Sequence, residues 1–230
     1  MKILVTGANR GIGLEMAKLA VSKRWQIFAC CRNPHTADKL NEVARMSGGL
    51  VHVKILDVTD RAQIQALAYE LRNECIDILI NNAGTYGETN GALGQFEDDD
   101  WLNAFKINTI SPLRVSEAFV EHVACSQKKV IATLTSKMGS MEDNTSGGSY
   151  VYRSSKAASN AVVKSMSMDF SDKGITCLAL HPGWVKTDMG GPNAEITTRQ
   201  CVNQLFDILE NCSAKDNGKF IDVDGQEVPW

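Results

Sequence analysis

Seven short runs of β-branched and apolar residues alternate along this chain with longer stretches of helical period, and that alternation restricts the fold more than any other feature. The runs at 2–6, 25–30, 50–56, 76–80, 129–135, 175–181 and 220–223 have the length and composition of strands. Between them, 12–22, 37–46, 61–73, 99–124, 152–171 and 197–209 read as helices, the first three with apolar residues three and four apart. Such alternation builds βαβ units, whose strands lie parallel and whose sheet is covered by helices on both faces. The expectation is therefore an α/β fold with a doubly wound, seven-stranded parallel sheet. No linker, repeat or low-complexity tract breaks the series, so residues 1–230 are expected to form one domain. The loops at 84–95, 136–149 and 182–196 stand out by composition, and each follows the carboxyl end of a strand. An open parallel sheet places its ligand crevice at that edge.

Charge and cysteine usage narrow the partners. Lys and Arg number 24 against 27 Asp and Glu, a net charge of −3, and the basic residues are scattered. The chain offers no basic field for nucleic acid or anionic lipid. Its N-terminal apolar run is interrupted by Gly7, Asn9 and Arg10 well before the length of a membrane span or signal core. It reads as a cytoplasmic sequence. The seven cysteines (Cys30, Cys31, Cys75, Cys125, Cys177, Cys201, Cys212) include no CxxC pair and fall mostly among apolar residues, so reduced core thiols are expected, with neither disulfides nor a metal site. The histidines His35, His52, His122 and His181 show no metal-ligand spacing, and His181 reads as a strand-end residue bonded to backbone.

The first strand runs into Thr6-Gly7-Ala8-Asn9-Arg10-Gly11-Ile12-Gly13 and then into an amphipathic helix. Glycines in this setting permit a tight turn, let the backbone approach a pyrophosphate and leave that anion at the helix N-terminus. Gly7, Asn9, Arg10, Gly11, Ile12 and Gly13 are thus candidate cofactor contacts, and the expectation becomes a single-domain Rossmann fold. At the end of the second strand an NAD-specific site places an acid against the ribose 2′-hydroxyl. This chain has Cys31 followed by Arg32 there. Arg32 and Arg10 can clamp a 2′-phosphate by charge-assisted hydrogen bonds, so NADP(H) is expected in preference to NAD(H), which is kept as the alternative.

Tyr152-Arg153-Ser154-Ser155-Lys156 places a phenol and an amine one helical turn apart on one face. A nearby ammonium and the nicotinamide charge are expected to lower the phenol from its ordinary pKa of about 10 toward the range useful for acid–base work. Tyr150 has Ser154 four residues on and cannot recruit the same cation. Tyr86, Met138, Met141, Trp184 and Met189 are candidates for an apolar substrate pocket, with ordinary packing as the competing account. Gly190-Gly191-Pro192-Asn193 lies in a segment, 188–200, that reads as a substrate lid.

The G-x-x-x-G-x-G spacing, together with Asn81-Asn82-Ala83-Gly84, the Tyr152/Lys156 pair and His181-Pro182-Gly183-Trp184-Val185-Lys186-Thr187, resembles the short-chain dehydrogenase/reductase family. Within it the chain is most similar to sniffer-type carbonyl reductases and the related C-factor proteins. The resemblance implies a catalytic tetrad of Asn108, Ser136, Tyr152 and Lys156. In that scheme Ser136 positions a substrate carbonyl and Tyr152 protonates it. Lys156 holds the nicotinamide ribose, and Asn108 bends its helix so that its carbonyl can carry a water toward the lysine. Thr135 and Ser140 are neighbouring hydroxyls that compete with Ser136, and Asn108 is open to a purely structural role. The resemblance further implies adenine contacts from Asp57 and Val58, and ribose contacts and sheet support from Asn81, Ala83 and Gly84. It also implies nicotinamide contacts from Pro182, Gly183, Val185 and Thr187. Asp57 has helix capping as an alternative, although Asp60 suits that role better, and Asn81 has turn closure. Dimers or tetramers through the helices at 99–124 and 152–171 are likewise implied. The expected activity is NADPH-dependent reduction of an aldehyde or ketone. The alternatives are a signalling or nucleotide-binding protein with incidental catalysis, and an alcohol dehydrogenase acting oxidatively.

Overall fold

A computed structural model describes residues 1–87, 94 and 96–230. Its strands are β1 (Lys2–Thr6), β2 (Gln26–Cys31), β3 (Val51–Ile55), β4 (Ile78–Asn81), β5 (Val130–Leu134), β6 (Thr176–His181) and β7 (Phe220–Asp222). They form one sheet in the order β3-β2-β1-β4-β5-β6-β7, with every pairing parallel. The chain reverses direction between β1 and β4, and the resulting crevice opens beyond their carboxyl ends. The helices are α1 (Gly11–Ser22), α2 (Asp38–Met46), α3 (Arg61–Glu70), α4 (Asp98–Phe105), α5 (Ser111–Ala124), α6 (Tyr150–Asp169) and α7 (Thr198–Asn211). This is the expected single-domain Rossmann fold.

Strand alternation divides the core into two layers. Ile3, Val5, Ile78, Ile80 and Ala132 face α1 and α7, where Trp25 meets Phe206 at a ring separation of 4.9 Å. Leu4, Leu79 and Ile131 face the opposite way, toward Val115 and Phe119 of α5 and Val163 and Met166 of α6. Helix starts are locally encoded: Asp60 accepts from the Ala62 and Gln63 amides to cap α3, and Thr197 with Gln200 forms a capping box on α7.

Three expectations are corrected. The helix expected over 99–124 is interrupted: Lys106–Ile110 is a π turn separating α4 from α5. Pro112 has no N–H and so cannot give the carbonyl of Asn108 its α-helical bond, while the Ser111 amide reaches back five residues to Lys106. Second, α6 begins at Tyr150, which puts Tyr152 inside its first turn. Third, Cys75 and Cys125 form a disulfide. Cys75 precedes β4 and Cys125 ends α5, and the Ile76 amide bonds to the His122 carbonyl at 2.7 Å. The docking of α5 against the start of β4 thus makes a pair that sequence spacing does not announce. The loop expected over 84–95 falls largely outside the described residues. Among the described residues no helix is long and apolar enough to cross a membrane.

A crosslink between cysteines 50 residues apart is worth about 4 kcal/mol in the chain-entropy account. Urea unfolding should therefore show a loss of up to that order on adding dithiothreitol. Cys125→Ser should show the same loss and no further response to the reductant; an unfolding midpoint indifferent to reductant would contradict the crosslink.

Candidate active site

Backbone approach dictates the glycine loop. Gly7 and Gly11 have φ of +67° and +54°, in the left-handed region that glycine adopts without strain. A side chain on Gly13 would begin 2.4 Å from the Gly7 carbonyl oxygen, so the loop closes only without one. Arg10, at the N-cap of α1, makes no capping bond through its side chain, and the first helical turn carries no acid. The leading amides of α1 therefore face outward as anion donors. Asn82, which the sequence reading passed over in favour of Asn81, fixes this loop. Its Nδ2 donates to the carbonyls of Thr6 (2.7 Å) and Gly7 (3.0 Å), and the amides of Asn82 and Ala83 both bond to the Thr6 hydroxyl. The signal was the asparagine doublet at the strand end.

The other candidate cofactor contacts surround the same groove. Cys31 is buried at the end of β2, and exposed Arg32 follows it without an ion pair among the described residues. Arg10 is paired at 3.3 Å with Asp188, so it bridges the glycine loop to the start of the 188–200 segment. Asp57 turns its carboxylate onto the amide and hydroxyl of Thr59, a local turn, while Asp60 caps α3. Val58, Asn81 and Ala83 line one recess with Thr6. The Asn81 side chain points inward to Ser116 at 3.0 Å, which supports the strand rather than reaching the surface. Thr187 approaches the position of a Gly11 side chain to 3.4 Å. Gly183 turns at φ +79° against Ile196. Val185 pairs with Ile196 in a parallel bridge whose bonds use Trp184 and Lys186, leaving the amide and carbonyl of Val185 directed away from Ile196. These features fit a dinucleotide: a cradle that any Cβ would fill, an uncapped helix start, and no acid at the end of β2.

Ser136, Tyr152, Lys156 and Asn108 are brought together at the carboxyl edge of β4 and β5. Tyr152 and Lys156 are 9% and 5% exposed. The Lys156 ammonium bonds to the Leu134 carbonyl at 2.9 Å and stands 5.7 Å from the centre of the Tyr152 ring. Burial lowers this lysine from 10.5 to about 8. Burial raises the phenol from 10.0 to about 12; the Ser136 hydrogen bond opposes that rise and the neighbouring Tyr86 adds to it. Loss of solvent thus acts on Tyr152 in the direction opposite to the lowering expected from the ammonium and the nicotinamide charge. Of the competing hydroxyls, Thr135 is committed to Asn160 at 2.6 Å and Ser140 to the Trp230 carbonyl and the Asp143 amide; Ser136 accepts from the Met138 amide at 3.1 Å and also bonds to Tyr152. Tyr150 is 40% exposed and packs edge-on against Phe96.

Two glycines set these distances. A side chain on Gly139 would begin 2.7 Å from the Lys156 carbonyl carbon, so the turn after Ser136 rests directly on the backbone of α6. One on Gly84 would crowd Asn108 Oδ1 (3.3 Å) and Lys156 Nζ (3.6 Å). Asn108 is fully buried and clamps the backbone of Thr85, accepting from its amide (2.9 Å) and donating to its carbonyl (2.8 Å), with a further bond to Ser155. The π turn frees its carbonyl as described above. His181 differs from expectation: its Nδ1 is buried with no partner among the described residues, and burial pushes the ring down to about 4, so it stays neutral. Among the pocket candidates, Trp184 is half exposed and donates to the Gly190 carbonyl, and Met141 projects into solvent.

A family model described as short chain dehydrogenase matches residues 1–197. The C-signal of Myxococcus xanthus is 41% identical over 167 residues, 73% of this chain and 100% of the relative. Among solved structures, the carbonyl reductase Sniffer of D. melanogaster superposes with a TM-score of 0.93 at 30% identity, covering 100% of this chain and 99% of that one. The NADPH-bound carbonyl reductase from chicken fatty liver follows at 0.92 and 34%, covering 100% and 98%. With the glycine cradle, the Ser136–Tyr152–Lys156 cluster and a family model spanning most of its length, the chain belongs to the short-chain dehydrogenase family.

Proposed function

We propose that this protein is an NADPH-dependent reductase of aldehydes or ketones. The observation that carries the reading is a buried, protonated phenol within reach of Ser136 and a buried ammonium, at the sheet edge shared with the glycine cradle. Gly7, Asn9, Arg10, Gly11, Ile12 and Gly13 hold the pyrophosphate, Arg10 and Arg32 the 2′-phosphate, and Pro182, Gly183, Val185 and Thr187 the carboxamide end. When bound, the nicotinamide supplies the hydride. Ser136 orients the substrate carbonyl, and Tyr152 gives its hydroxyl proton to the carbonyl oxygen as negative charge develops there. Lys156 stabilises the tyrosinate that remains until solvent reprotonates it. Asn108 holds the loop after β4 through Thr85 and offers its freed carbonyl to a water on that path. Residues 188–200 act as the lid, latched to the glycine loop by Arg10 and Asp188. A cytoplasmic location belongs to the same reading, as does self-association through α4, α5 and α6, where Leu102 of α4, Ile110 of the π turn and Met168 of α6 are exposed.

The similarity to the C-signal favours a second reading, a signalling protein in which catalysis is incidental. Tyr152→Phe separates the two. Loss of the biological effect with NADPH still bound supports the enzyme, and full retention supports the signal.

Cofactor oxidation with a panel of aldehydes, ketones and quinones tests the reductase directly; no turnover with any of them would overturn it. Arg32→Asp should lower kcat/KM for NADPH by about 10–100-fold, the worth of one charge-assisted contact, and leave the NADH value nearly unchanged. Equal efficiency with both cofactors in the unaltered protein would refute the preference.

A phenol raised to about 12 keeps its proton through neutrality. Reductive kcat should therefore be level from about pH 6 to 7 and decline only as the Lys156 ammonium is lost near 8, while alcohol oxidation, which needs the tyrosinate, should climb with pH. A reductive rate that falls between pH 6 and 7, where Lys156 also keeps its proton, would contradict that protonation state.

A further inference from the structure

Tyr86 stands in the loop after β4. Its ring stacks on that of Tyr152, with centroids 4.5 Å apart and planes inclined by 25°. Its hydroxyl shares a 2.8 Å hydrogen bond with the hydroxyl of Ser149. Ser149 is the N-cap of α6, a position where a serine hydroxyl ordinarily accepts from a backbone amide one turn on. Here it makes no capping bond, and its backbone lies at φ 47°, ψ 42°, a left-handed conformation unfavourable for any residue with a Cβ. The helix that carries Tyr152 and Lys156 thus begins on a strained residue that has exchanged its cap for Tyr86.

The other side of the loop is fixed as firmly. Asn108 holds Thr85 by two backbone bonds, immediately before Tyr86. Gly87, immediately after it, turns at φ +92°, and a side chain there would begin 3.0 Å from an Asp100 carboxylate oxygen and 3.2 Å from Val151. The ring is therefore held from the π turn, from α4 and from the start of α6. These constraints converge on a residue that lies outside the tetrad.

We propose that Tyr86 is a positioning residue for proton transfer: its ring fixes the plane of the Tyr152 phenol and keeps water from one of its faces, with Ser149 as the anchor. The inference rests on the reading of Tyr152 as the proton donor. The groups that face the phenol are Lys156 from its own helix, Ser136 from the loop after β5, and Tyr86. Burial is the first cause that raises Tyr152; Tyr86 adds a charge repulsion that belongs to its hydroxyl, separate from the shielding by its ring.

The test compares Tyr86→Phe, which keeps the ring and loses the bond to Ser149, with Tyr86→Ala, which loses both. Steady-state kinetics are read alongside NMR titration of tyrosines isotope-labelled at Cζ. The chain has 4 tyrosines, and the resonance missing from Tyr152→Phe identifies Tyr152. Tyr86→Ala is expected to lower kcat about tenfold or more with the KM for NADPH little changed, and to move the Tyr152 titration to lower pH. Tyr86→Phe should restore most of kcat and the part of the titration shift that comes from burial under the ring. Tyr86→Ala with unaltered kcat and an unmoved Tyr152 resonance would overturn the proposal, as would Tyr86→Phe behaving like Tyr86→Ala. If the unaltered protein reduces no carbonyl, the reductase reading fails, and the titration alone still decides whether Tyr86 controls the phenol.

Discussion

An ammonium group held out of water beside a phenol is costly, and much of this structure can be understood as the means of holding it there. Lys156 reaches the Leu134 carbonyl at the end of β5, and burial lowers it from 10.5 to about 8. That shift corresponds to roughly 3 kcal/mol of lost stability at neutral pH, a substantial part of the 5–15 kcal/mol of a typical domain. A fold selected only for stability would place an apolar side chain at this position. Gly139 lets the turn after Ser136 rest on the α6 backbone, and Gly84 leaves room for the amine beside Asn108.

The remainder of the edge is organised around that pair. The parallel sheet brings the loops after β1, β4, β5 and β6 to one side, and the reversal between β1 and β4 opens a crevice among them. Asn82 couples the loop after β4 to the glycine loop after β1. Asn108 couples the same loop to α6 through Ser155. A displacement of the loop after β4 would therefore disturb the anion cradle and the phenol together. The Arg10–Asp188 pair, by contrast, is exposed, worth little energetically, and suited to opening and closing.

The sequence was most readable where function and local backbone rules coincide. Strand alternation, the glycine spacing and the four-residue interval between Tyr152 and Lys156 are period and spacing effects, and each appears in the structure close to where it was read. What escaped depends on contacts distant in sequence. The π turn needed Pro112 to be weighed against the carbonyl of Asn108, inside what looked like one continuous helix. The Cys75–Cys125 disulfide arises from docking between elements, without a spacing motif. The phenol was expected to be lowered by its lysine neighbour and the nicotinamide charge, whereas its own burial acts in the opposite direction, a quantity that sequence does not carry. Tyr86 was legible only as a candidate for the apolar pocket, since its partner Ser149 is 63 residues away in sequence.

Lys156 is a buried charge maintained at a cost, and that cost is open to direct measurement. Lys156→Met keeps the volume and removes the charge, so the difference in unfolding free energy between variant and parent, followed against pH, isolates that cost. Below pH 8 the lysine is charged in both the folded and unfolded states, and the folded parent bears the whole penalty. Between 8 and 10.5 the unfolded chain binds more protons, so the parent gains stability as pH rises and the penalty disappears near 10.5. The variant should thus be more stable than the parent by about 2–3 kcal/mol at neutral pH, with the advantage shrinking to nearly nothing as pH approaches that of the free amine. A variant no more stable than the parent at neutral pH, or a difference that does not change with pH, would contradict the account.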